Sequence, residues 1–153
     1  MKNRTSDKHA IEIEITNDND IEDADISLEH LNIRTLVARM DMLFDSGDFS
    51  GVLHASASIF ETLAKDVIKK STVENQPLGS FFEAYRKRSA LPAAVLDMIK
   101  DIYDRRNTEP LAGHGSTTVP TIKKEEAVTL VEMTKAFIRM ERELSEPVIS
   151  VKC

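Results

Sequence analysis

The chain has no tryptophan and a single cysteine, Cys153. A lone cysteine excludes an intramolecular disulfide, and the usual Cys/His zinc clusters have no support either. Glycine and proline are scarce, with five of each in 153 residues, and most of them fall between segments of helical periodicity. Aromatic residues make up only 5 %. No apolar run reaches the roughly 20 residues of a membrane-spanning helix. The N-terminus is polar and acidic where a signal peptide is basic and then apolar, so a cytoplasmic location is expected, with no membrane partner. What is plentiful is charge, 30 % of the residues, together with Leu, Ile, Val, Ala and Met. That composition suits a helical bundle better than a sheet, and the length suits one domain with a real core.

The net charge of −6 is unevenly spread. Residues 1–26 carry three basic and eight acidic side chains, a net of −5, which leaves −1 for the remainder. The expected organisation is an acidic, flexible N-terminal arm over 1–26, a helical bundle over 27–146, and a tail over 147–153. A nearly neutral domain disfavours a general nucleic-acid coating protein, while leaving room for a local basic patch. Within the arm, Ala10 to Thr16 alternates strictly and predicts a short strand, and residues 147–151 form a second β-like run.

Helical periodicity predicts the rest. A first helix spans about Leu28–Phe44, capped by Ser27 or Asp25, with Ile33, Leu36, Val37, Met40, Leu43 and Phe44 on its apolar stripe. A second spans about Phe49–Lys70. Besides its apolar face it carries His54, Ser58, Glu61 and Lys65 in one row. A short third helix, about Leu78–Ser89, ends in the Arg86-Lys87-Arg88 cluster. A fourth starts near Pro92 with a stripe of Val95, Met98, Ile99 and Ile102, and a fifth spans about Lys123–Ser145 with Thr121 as its cap. The predicted fold is all-α, an up-and-down bundle of four main helices plus the short one.

The fourth helix runs into the stretch from Asp104 to Ser116, which contains Arg105, Arg106, Asn107, Pro110 and then Gly113-His114-Gly115. Pro110 removes a backbone donor and disfavours helix at Glu109. A turn there would let Arg106 and His114 meet. A permanent cation that forks onto phosphate oxygens and an imidazole that moves protons near neutrality suit phosphodiester chemistry. Arg106 lies four residues beyond Ile102 and so extends the apolar stripe, while Arg105 lies about 100° away. Each residue also has a plainer reading. Arg106 can simply complement the helix C-terminus, His114 can be a loop histidine, and Glu61 with Lys65 can be an ordinary i,i+4 pair of roughly 0.3–0.5 kcal/mol.

Arg106-Asn107 followed by Gly113-His114-Gly115, with Glu61-x-x-x-Lys65 on an earlier helix, resembles the signature of the HEPN superfamily, in its abortive-infection C-terminal (Abi-C) type. The resemblance covers roughly residues 28–145. It implies a homodimer whose two Arg/His loops form a composite cleft. It also implies a metal-independent endoribonuclease acting as a toxin or phage-defence effector, with no cofactor. In that chemistry the RNA 2′-hydroxyl attacks the adjacent phosphate. His114 would be general base or acid, Arg106 would stabilise the phosphorane, and Asn107 would orient the loop. Glu61 and Lys65 would position the pair, and Arg105, Arg86, Lys87 and Arg88 would contact RNA phosphates. Seven residues separate Arg106 from His114, one more than the family spacer. That favours the alternative, a non-catalytic RNA-, nucleotide- or protein-binding module. A third reading is an antitoxin-like or structural dimer whose acidic arm covers a basic partner, with an antitoxin or regulatory protein as the further partner implied.

Overall fold

The computed structural model describes residues 30–109 and 121–145. The N-terminal arm, its strand at 10–16, the caps at Asp25 and Ser27, His114, and the run 147–151 lie outside them. The described residues are all-helical: α1 (Leu31–Asp45), α2 (Phe49–Ile68), a 3-10 turn (Ser71–Val73), α3 (Leu78–Arg88), α4 (Ala93–Arg105) and α5 (Lys124–Ser145). Among these elements no helix is long and apolar enough to cross a membrane.

The first two helices form a hairpin. The His30 Nδ1 accepts the Asn32 N–H at 3.0 Å to open α1. Asp48 caps α2 by accepting the Gly51 N–H at 2.9 Å. A Cβ at Gly51 would lie 2.6 Å from the Asp48 carboxylate, so glycine is what lets the cap close this tightly. The far end of α2 stops at Lys69, which adopts a left-handed backbone with φ 56° and donates its N–H to the Lys65 carbonyl at 2.8 Å. The chain therefore leaves the helix after Ile68, two residues before the periodicity predicts.

α2 is the hub and packs against each of the other four helices, while α1 also meets α5 and α3 meets α4. Its apolar face buries Val52, Leu53, Phe60, Leu63 and Ala64 together with Ser56, four residues from both Val52 and Phe60, and near the start of the helix burial extends to the opposite side through Gly51 and Ala55. Small residues let the neighbouring helices approach that side closely. On the apolar face Ser56 and Thr134 of α5 hydrogen-bond at 2.7 Å, which satisfies two buried hydroxyls. On α4 the buried residues are Leu96, Ile99, Ile102 and Tyr103. Met98, expected on that stripe, is 46 % exposed. It sits about 100° from Ile99 on the helical wheel, so the stripe turns toward Leu96 and Tyr103.

A second buried polar point ties α5 to α3. The Glu141 carboxylate, 2 % exposed, accepts the Tyr85 hydroxyl at 2.8 Å, the Ser89 hydroxyl at 2.7 Å and the Ala90 N–H at 3.2 Å. Burial pushes the Tyr85 phenol far above its usual range, and the charge of Glu141 adds to the push, so the phenol stays a donor. Tyr85→Phe should lower stability by roughly 1.5–3 kcal/mol, the range for a hydrogen bond to a charged group. Glu141→Ala should lower it further, because it leaves three donors without their acceptor, the buried Tyr85 hydroxyl among them. Urea midpoints of the two variants check this ordering.

Candidate active site

The row predicted along α2 is where the polar contacts gather. Glu61, one of its members, reaches two other helices. Its Oε2 accepts the Leu78 N–H at 2.9 Å, which places a carboxylate on the N-terminus of α3. The same oxygen accepts the Tyr103 hydroxyl of α4 at 2.9 Å. The Tyr103 oxygen in turn accepts the Leu78 N–H at 3.2 Å and an Arg106 Nη2–H at 3.3 Å. The guanidinium carbon of Arg106 stands 4.7 Å from the Tyr103 ring centroid, a cation–π contact. A continuous chain thus runs from Glu61 through the phenol to Arg106, and it holds a half-buried arginine at the C-cap of α4.

Tyr103 is buried, and burial raises its phenol pKa first, with the hydrogen bond and charge of Glu61 raising it further. The phenol stays protonated and serves as the junction. Its spacing to Arg106, three residues on a helix, is the signal in the sequence that identifies it as a neighbour. Lys65 lies one turn beyond Glu61. Its ammonium donates to the Glu74 carbonyl at 2.7 Å and stands 3.9 Å from Glu61 Oε1.

Beyond Arg106 the chain unwinds through a turn: the Asn107 N–H donates to the Asp104 carbonyl and the Glu109 N–H to that of Arg105, both at 3.1 Å. Asn107 is exposed. Glu109 is 7 % exposed and acts as a latch. One carboxylate oxygen accepts the Ser50 hydroxyl of α2 and the Thr121 N–H, each at 2.7 Å, and the other accepts the Thr121 hydroxyl at 2.6 Å. The Glu109 carbonyl oxygen lies 3.1 Å from His54 Nε2, so His54 also braces this point. Thr121, expected to cap the last helix, spends its hydroxyl on the latch instead. Residues 109 and 121 are thereby pinned together on the first turn of α2, and the segment between them, which contains His114, begins four residues after Arg106.

The other cations are engaged differently. Arg105 grips Glu126 of α5 through both terminal nitrogens and so faces away from Tyr103. Arg86 pairs with Asp97 at 3.0 Å and with Glu83 at 3.6 Å, and lies 5.0 Å above the Phe82 ring. Lys87 and Arg88 are exposed. Among the described residues no group of three His, Cys, Asp or Glu side chains could hold a metal ion.

The Glu109 latch is pH-dependent. Burial alone pushes this carboxyl up, but the Thr121 and Ser50 hydrogen bonds and the nearby Arg105 outweigh burial, so its pKa falls below the usual 4.5. A carboxyl depressed in the folded state contributes stability that is present above about 4.5 and lost as pH drops toward the folded value. Glu109→Gln should therefore be less stable than the wild type at pH 7, with the gap closing below about pH 4.5. Thermal melts of both chains between pH 3 and 7 read this directly. No family model, no curated protein and no solved structure matches the chain.

Proposed function

We propose that the chain is a HEPN-like up-and-down bundle of the abortive-infection type that cleaves RNA without a metal. The observation that carries this reading is the Glu61–Tyr103–Arg106 chain of hydrogen bonds. It anchors the arginine of the Arg-Asn…Gly-His-Gly signature through the glutamate of the upstream Glu-x-x-x-Lys pattern, by way of a phenol that neither pattern includes. Precise placement of a fixed cation is what stabilisation of a phosphorane needs. The clamped ends of the segment holding His114 add a second constraint.

In the proposed reaction the RNA 2′-oxygen attacks the adjacent phosphorus and the bond from phosphorus to the leaving 5′-oxygen breaks. His114 takes the proton from the 2′-hydroxyl or hands one to the leaving oxygen. Arg106 stays protonated throughout and neutralises charge on the non-bridging oxygens. Asn107 orients the loop. Glu61 and Tyr103 position the arginine, and Lys65 supports Glu61. The cleft is completed by a second copy of the chain, so that two Arg106/His114 sites face each other. Light scattering at micromolar concentration should give the mass of a dimer, and a monomer would remove the composite cleft.

The direct test is purified protein with total RNA in chelator. Wild type should cut. Arg106→Ala and His114→Ala should each cut roughly 10²–10⁴-fold more slowly while melting normally. Arg106→Lys should fail as well, since an ammonium lacks the fork. Arg105→Ala should lose the Glu126 ion pair and some stability but keep cleavage. Tyr103→Phe keeps the ring under the guanidinium and loses the phenol bonds, so its loss should be smaller than that of Arg106→Ala. The seven-residue spacer favours one other reading, a binding module that does not cut. Wild-type protein that binds RNA and leaves it intact, in chelator and in magnesium, selects that reading.

A further inference from the structure

We infer that a basic trough at the far end of α2 is the track for the phosphate backbone of the RNA strand, an assignment that rests on the proposed RNA reading. Two grooves, of about 530 and 450 Å³, meet there and share His30, Asp66 and Lys69 as walls. Together they bring Lys65, Lys69, Lys70, Arg88 and Arg142 to one surface. Three carboxylates also line them, Asp66, Glu74 and Glu141. Five cations against these three carboxylates leave the combined lining positive. These side chains come from α2, the segment after it, α3 and α5, and so meet only in the folded bundle.

Two observations point to a ligand rather than to a solvated face. Lys69 and Lys70 are exposed, and Lys69 holds a left-handed backbone, φ 56°, at the position after a helix where glycine is the unstrained choice. A lysine kept there carries backbone strain that glycine would remove, and strain of this kind gathers at binding sites. Lys65, a wall of the first groove, also touches the candidate site, its ammonium 3.9 Å from Glu61 Oε1. Lys65 is one helical turn from Glu61, about 6 Å along α2, and Glu61 is one phenol away from Arg106. A strand whose scissile phosphate sits on Arg106 would lay neighbouring phosphates along Lys65, Lys69 and Lys70.

The test uses the full chain carrying His114→Ala, to prevent cleavage, and a labelled single-stranded oligouridine read by anisotropy across a salt series in chelator. Adding Lys69→Ala and Lys70→Ala should raise Kd about tenfold or more. It should also flatten the slope of log K against log salt by about 1.4, two phosphate contacts at roughly 0.7 each. Arg39→Ala, an exposed cation on α1 outside both grooves, should change neither. Lys69→Gly separates binding from structure. It should raise Tm by roughly a few degrees through relief of strain and still weaken RNA binding, whereas a purely structural lysine would give the first effect alone. If the protein cuts RNA and the double variant binds with unchanged Kd and slope, the trough assignment falls and the cleavage reading stands. If the parent chain binds no RNA, both fall. If the double variant loses affinity for an added peptide of residues 9–29 and not for the RNA, the trough belongs to the acidic arm and the RNA assignment is overturned.

Discussion

Everything in this bundle depends on α2 being surrounded. A helix in contact with four others cannot keep a wet face along its whole length, so its sequence solves two packing problems at once. Large apolar residues such as Phe60 and Leu63 fill one side, with Ser56 among them, and Gly51 and Ala55 allow close approach on the other. The polar groups that remain on it must then find partners in neighbouring elements, since a buried polar group without a partner is destabilising. Ser50 finds Glu109, Ser56 finds Thr134, and Glu61 finds Tyr103 and the start of α3. Centrality of α2 is thus also the reason that the candidate site is built on it.

Two different physical devices hold the region around Arg106. On the helical side an acid, a phenol and a guanidinium are joined in series, and the cation is oriented by a ring and a hydroxyl together. On the loop side a buried carboxylate collects three donors and pins two chain positions twelve residues apart. The first device keeps a permanent charge in one orientation without neutralising it, because the negative charge of Glu61 is one group removed. The second directs its charge onto neutral donors, with Arg105 nearby, and therefore weakens as Glu109 is protonated. An arginine whose nearest partner is a neutral phenol keeps its charge available for an anion, which is what the proposed chemistry asks of it. Arg105 shows the contrary case: a direct bidentate pair with Glu126 makes it a strut between α4 and α5.

The residues themselves determined the all-helical class, the order and approximate limits of the five helices, and the polar row on α2. These follow from periodicity, from Pro77, Pro92 and Pro110 as breaks, and from Asp48 as a cap, all of which act within a few residues of chain. The angular argument that separates Arg106 from Arg105 is local for the same reason. Tertiary structure decided what no local pattern carries. Met98 has the same spacing credentials as Ile99, and only the position of the neighbouring helices leaves it exposed. Tyr103 reads as one more apolar residue until Glu61, distant in sequence, comes to meet it. Glu109 reads as a loop carboxylate and Thr121 as a helix cap until the chain returns and joins them on Ser50. Periodicity records which side of an element is dry; which groups meet across the dry side is fixed by packing between elements, and the candidate site is made of such meetings.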